Sequence, residues 1–205
     1  GKSMQDMVKE IRRQLHLQNN KEYLHKAISQ YGRLQQSFFM KLGFIGEFKG
    51  DETVLDLYCG IGTIGLSVSD KVGKIIGIEI VPEAVACARL NASLNGLGPD
   101  RARFYCGDAS DARRLLATAE ENGAPRPDLV VIDPPRKGTT PELIREIAAR
   151  NIQRVVYISC EPETLARDLK WLTSHGYKAR EAVAYDMFPF TEHVESLVCL
   201  TRQTN

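Results

Sequence analysis

Apolar positions recur along this chain at two different spacings, and the change between them divides it. Over residues 1 to about 35, Met4, Met7, Val8, Ile11 and Leu15 fall at helical intervals among Lys9, Arg12, Arg13 and Lys21, ahead of Gln35-Gln36 and Phe38-Phe39. This predicts a helical N-terminal extension, taken as residues 1–49. From Thr53 onward, short β-branched runs near 53–57, 74–80, 102–106, 128–132 and 154–159 alternate with amphipathic stretches near 63–70, 82–95, 110–121, 140–150 and 162–174. The alternation predicts an α/β domain over residues 50–205, a parallel sheet with helices on both faces. Two further apolar runs, 178–185 and 194–201, are joined by a short loop with no helix. Such a connection can only join antiparallel neighbours, so an antiparallel C-terminal hairpin is expected to close one edge of a mostly parallel, seven-stranded sheet.

Composition narrows the class. A chain of 205 residues with 43% hydrophobic content has room for one sizeable core, and it contains no apolar run near the ~18 residues of a membrane span. No membrane association is expected. The formal net charge of +1 makes no overall electrostatic case for nucleic acid, although basic groups can still cluster on one face. Five cysteines (Cys59, Cys87, Cys106, Cys160, Cys199) are odd in number, lack CxxC spacing and follow no signal peptide. They point to free thiols in a reducing cytoplasm, with neither a disulfide framework nor a metal or iron-sulfur site.

The first strand leads into DLYCGIGTIG, residues 56–65, with a GxGxxG that serves many nucleotide-like ligands. Charge sharpens the reading. Asp56, Glu79, Asp108 and Asp133 fall at or just beyond the ends of the first four strands, and the glycine loop holds no Lys or Arg. Four carboxylates would repel a pyrophosphate but suit a cationic ligand that also offers ribose hydroxyls and an adenine amino group. S-adenosylmethionine meets that description. Glu79 is then the expected acceptor for the ribose hydroxyls, and Asp108 either accepts from the adenine amine or caps a helix.

Two motifs end strands with chemistry. In LVVIDPPRKG, two prolines after the strand stiffen the backbone and remove two donors, holding Asp133 and Pro134 where a planar ring could be read by its edge. Arg136 and Lys137 add positive charge for a phosphate. In VVYISCEP, residues 155–162, Cys160 stands at the carboxyl end of a strand, where α/β sheets bind ligands. Arg167, or the helix beginning near Pro162, is expected to supply a positive field that favours thiolate.

DLYCGIGTIGL, IVPEAVACARLNASLNG, DPPRKG, SCEPETLARDL and DMFPFTEHVESLVCLTR, in this order, resemble the RNA 5-methyluridine methyltransferases, in particular the 23S rRNA (uracil-5-)-methyltransferase branch, over about residues 50–203. The resemblance implies the class I S-adenosylmethionine-dependent methyltransferase fold, with Cys160 as nucleophile and Glu195 as base. It places Tyr58, Gly60, Gly62, Thr63, Glu79, Asp108 and Asp133 at cofactor positions, and Asp133, Pro134 and Arg136 beside the target base. Glu161 and Met40 stand where the family usually has Asn and Gln. The β-barrel RNA-binding domain common in the family is not among these residues, so a catalytic fragment or a reduced member is expected.

The chemistry explains the thiol. C5 of uracil is a poor nucleophile until a thiolate adds at C6 and makes the ring an enolate. A base must later remove the C5 proton, and Glu195 has Glu192 and His193 as rivals, as Cys160 has Cys59. Other readings stay open: methylation of a tRNA uridine, of an exocyclic amine, or a non-catalytic module that binds S-adenosylmethionine or RNA. Against the amine, Arg136 stands where an aromatic ring would stack the base. RNA is the expected partner, rRNA ahead of tRNA, with no obligate protein partner.

Overall fold

The central strands run buried without alternation because helices cover both faces of the sheet. In the computed structural model, which describes residues 41–42, 46–185 and 194–203, β1 (Thr53–Leu57), β4 (Leu129–Ile132) and β5 (Arg154–Ser159) are buried at every position. β2 (Lys74–Glu79) is buried over its four central residues, and β3 (Ala102–Cys106), at the sheet's edge, alternates. The expected extension over residues 1–35, Met40, Glu192 and His193 lie outside the described residues.

The helices are α1 (Thr63–Ser67), α2 (Pro82–Leu94), α3 (Ala112–Glu121), α4 (Pro141–Ala149) and α5 (Pro162–Ser174). Three of them begin at proline, where the missing N–H would have had no helical partner anyway. Leu143, Ile144 and Ile147 of α4 and Leu165 and Leu172 of α5 pack with Leu55, Leu57, Val130 and Ile132 in one core. Among the described residues, no helix is long and apolar enough to cross a membrane.

The final hairpin consists of β6 (Tyr177–Tyr185) and β7 (Glu195–Arg202), and the strand order is β3-β2-β1-β4-β5-β7-β6. β7 runs antiparallel to both neighbours, so the chain goes out to the edge and returns between β5 and β6. Burial explains the choice. Leu197–Leu200 is a continuous buried run, fit for an inner position, whereas β6 alternates and carries a register shift between Ala179 and Glu181 that suits an edge.

At the amino end of the strands, β5 opens with a buried arginine. Arg154 pairs with buried Glu52 and donates to the carbonyls of Gly46 and Glu47, while Glu52 Oε2 accepts from Lys49 N at 2.9 Å. Arg154→Ala would leave the Glu52 carboxylate buried without its counter-charge. Urea unfolding should show a loss of about 3–5 kcal/mol, against less than about 1 kcal/mol for an exposed pair.

Candidate active site

β1 and β4 lie side by side at the centre of the sheet while their successors diverge, and such a switch point opens a crevice at the carboxyl ends. The glycine loop follows β1. Gly60 and Gly62 take left-handed backbones, with φ of 54° and 83°, and Tyr58 is left-handed at 61° without being glycine. That strained conformation is held by the contact between Tyr58 Oη and Thr139 Oγ1 at 3.1 Å. Thr63 opens α1 and is exposed.

Glu79 ends β2 and props the same loop. Its Oε2 accepts from Gly60 N at 3.0 Å and its Oε1 from Val81 N at 2.9 Å, which fixes the carboxylate while leaving further lone pairs for a ligand. Asp108 is exposed and caps a short 3-10 turn, Ala109–Asp111, accepting from Ser110 N at 2.8 Å. That N–H holds its carboxyl below the ordinary range. Ile61, Ile80 and Val81, which the sequence reading passed over, are large apolar side chains left exposed along this rim.

Asp56 departs from the expectation of four rim carboxylates. It is the penultimate residue of β1, completely buried, with Oδ2 accepting from Gly65 N at 2.8 Å and Oδ1 without a partner. Burial pushes its carboxyl up to about 7; the Gly65 N–H opposes the rise, and the charges of Asp133 and Glu79 add to it. A Cβ on Gly65 would sit 2.9 Å from Oδ2, so that glycine is what lets α1 start directly over the carboxyl.

The second half of the site gathers around the thiol. Cys160 follows β5 directly, and the antiparallel register pairs Ser159 with Ser196, so Cys160 and Glu195 leave the ladder across from each other. Both are partly exposed. Asp133 follows the adjacent β4; beyond it Pro134 is buried while Pro135, Arg136 and Lys137 are exposed. Burial and the neighbouring charges set the protonation of the thiol and of Glu195. Burial pushes Glu195 up to about 7, aided by the Asp133 charge, and pushes Asp133 up to about 6. Burial also raises the Cys160 thiol, Glu195 and Asp133 raise it further, and Arg136 opposes them.

The expected positive field from Arg167 is therefore corrected in both source and sign. Arg167 is occupied elsewhere: Nε and Nη2 meet Asp168 Oδ1 at 2.9 and 2.8 Å, Nη2 donates to Lys137 O at 2.8 Å, and the guanidinium lies 4.7 Å over Trp171. Arg136 is the cation that acts on the thiol, and the net displacement is upward because burial and two carboxylates outweigh one exposed guanidinium. Cys59, the rival thiol, is buried and lies in the packing against Gly77, with its thiol pushed far up by burial.

Reading the sequence also missed the loop's support. Buried Asp168 accepts from Thr139 N at 2.8 Å and from Tyr157 Oη, and Thr164 Oγ1 donates to Arg136 O at 2.9 Å. The available signal was a carboxylate on the apolar face of a helix, between Leu165 and Leu172.

Residues 44–203 match the family described as tRNA (uracil-5-)-methyltransferase. An uncharacterized RNA methyltransferase of Enterococcus faecalis is 43% identical over 164 residues, which are 80% of this chain and 35% of that protein. One from Bacillus cereus is 46% identical over 153 residues, 75% of this chain and 32% of the other. The chain thus spans about a third of the length of the curated relatives it matches. Among solved structures, the Pyrococcus abyssi tRNA (uracil-54, C5)-methyltransferase in complex with S-adenosyl-L-homocysteine is similar, with a TM-score of 0.66 and 32% identity over 80% of this chain and 37% of that one. Precorrin-6y C5,15-methyltransferase from Geobacter metallireducens shares the fold, with a TM-score of 0.61 at 17% identity, covering 82% of this chain and 89% of that one.

The charge of Glu195 raises the Cys160 thiol, so Glu195→Gln should lower it. The pH profile of iodoacetamide alkylation at Cys160 should have its midpoint at lower pH in the variant, with faster labelling near neutrality. An unmoved midpoint would show that the two groups do not interact.

Proposed function

Because the chain belongs to the tRNA (uracil-5-)-methyltransferase family, which its residues 44–203 match, we propose that it transfers a methyl group from S-adenosylmethionine to C5 of a uridine in RNA. The observation that carries this reading is the register that sets Cys160 across from Glu195 at the mouth of the β5–β7 ladder, beside Asp133. Residues 50–205 are the catalytic unit in this reading, and the cytoplasm is its compartment.

The residues of the crevice fit the cofactor. The buried Asp56 Oδ1 without a partner and the acid-rich rim favour a cationic ligand, and the fixed carboxylate of Glu79 retains acceptor capacity for hydroxyls. Tyr58, Gly60, Gly62, Thr63, Glu79, Asp108 and Asp133 would hold it. When bound, S-adenosylmethionine supplies an electrophilic methyl group.

The protein's own residues do the rest. Cys160, partly exposed, gives its proton to water, and its sulfur adds to C6 of the uracil, forming the C6–S bond and moving the C5=C6 electron pair toward C5 and O4 as an enolate. Asp133, fixed by Pro134 and Pro135, reads the edge of the ring, and Arg136 offsets negative charge near the sulfur. Once C5 is substituted it carries both its old proton and the new methyl. Glu195 takes that proton, the C5=C6 double bond re-forms, the C6–S bond breaks, and Cys160 leaves as thiolate. A carboxyl pushed up to about 7 suits a base that must accept a proton near neutral pH and release it afterwards.

For the RNA we propose 23S rRNA, supported by the resemblance of the five motifs, in their order, to the rRNA branch; a tRNA uridine is the alternative target. The two catalytic roles separate by where the reaction stops. With S-adenosylmethionine and 23S rRNA or tRNA transcripts, Cys160→Ala should form no covalent protein–RNA band on denaturing gels. Glu195→Gln should accumulate one that carries the methyl group, because elimination needs the C5 proton removed. Methylation by Cys160→Ala would overturn the mechanism.

A further inference from the structure

We propose that Asp168 is a positioning residue that fixes the loop bearing Asp133 and Arg136 against the corner bearing Cys160; its catalytic meaning rests on the methyl-transfer reading above. Asp168 has no exposure and sits on the face of α5 that also buries Leu165 and Leu172. A carboxylate there forgoes apolar contact and must be satisfied by donors. Its donors come from three segments. Tyr157 of β5, three residues before the thiol, donates its hydroxyl to Oδ2; Thr139 of the loop after β4 donates its N–H to the same oxygen at 2.8 Å; and Arg167 of α5 donates to Oδ1 at 2.9 Å.

The neighbours of Asp168 complete a clamp on that loop. Arg167 Nη2 donates to Lys137 O at 2.8 Å and to Thr139 O at 3.3 Å, and Thr164 Oγ1 donates to Arg136 O at 2.9 Å. The contact is close enough to require glycine. Gly138 has φ of 75°, and a Cβ there would lie 2.5 Å from both Asp168 Oδ2 and Arg167 Nη2. Thr139 then passes the constraint to the glycine loop, its hydroxyl meeting Tyr58 Oη at 3.1 Å. These bonds hold residues 136–139; Arg136, at the near end, and Asp133, joined to it by the stiff Pro134-Pro135 turn, both act on Cys160. Fixing the backbone from Arg136 onward fixes the cation's place at the sulfur and, through the two prolines, that of Asp133.

The test is Asp168→Asn, which keeps the shape and removes the charge, with Tyr157→Phe as a milder variant that deletes one donor and carries the test if Asp168→Asn does not fold. In a folded variant, kcat for methylation should fall by at least about tenfold while KM for RNA and the affinity for S-adenosylhomocysteine stay near wild type. The midpoint of the Cys160 alkylation profile should move as well, because the loop's charges are no longer held in place. A filler role would lower only the melting temperature. Wild-type kcat and an unmoved alkylation midpoint in a folded variant would overturn the proposal. A moved midpoint in a protein whose wild type methylates no RNA would keep the positioning role and sink the methyl-transfer reading instead.

Discussion

Taking a carboxylate out of water costs several kcal/mol unless donors replace the lost hydration, and among the described residues two carboxyl groups, Asp56 and Asp168, have no exposure at all. It meets the cost in two ways. Asp168 is given donors on both oxygens, from β5, from the loop after β4 and from its own helix, and so becomes a rigid junction between the elements that frame the thiol. Asp56 is given one backbone donor and left with a bare oxygen, so its carboxyl moves toward neutrality, to about 7. A satisfied acid braces the reactive corner, and an unsatisfied one sits against α1 beside the glycine loop with one oxygen bare.

The same constraint shapes the reactive corner. Cys160, Glu195 and Asp133 are crowded into a partly dry region, where each negative charge makes the next harder to form. Ionised Glu195 and Asp133 both work against the thiolate, so the protonation of the thiol depends on theirs. That coupling suits a sequence in which the sulfur must be anionic first and the carboxylate must accept a proton later. Arg136, at the far end of the stiff Pro134-Pro135 turn, is the cation placed to shift the balance toward the thiolate.

Much of this was legible in the chain. Continuous apolar runs such as LVVI and RVVYIS marked strands buried on both faces, and amphipathic stretches near 82–95, 140–150 and 162–174 marked helices, because both signals are local. The hairpin was legible too, since a short loop can join only antiparallel strands, but its insertion of β7 beside β5 was not. That order depends on which strand has the more continuous apolar run, a comparison across the sheet. Cys160 and Glu195 were named as a pair from resemblance, whereas their register across the ladder is what makes them neighbours. Asp56 was read as a rim charge because alternation along a fully buried strand does not say which face a residue serves. Arg167 was read as a source of positive field on the thiol because the sequence does not show that its guanidinium is taken up by Asp168 and by the carbonyls of Lys137 and Thr139. The misreadings of Asp56 and Arg167 concern charged residues whose partners come from other segments of the chain.

Substitution at C5 of uracil is tested most directly by release of the hydrogen at that carbon. With S-adenosylmethionine and RNA carrying [5-³H]uridine, the protein should release one tritium into water for each methyl group incorporated at the target uridine. Methyl incorporation with the tritium retained would place the new group elsewhere on the nucleotide and contradict the roles given to Cys160 and Glu195.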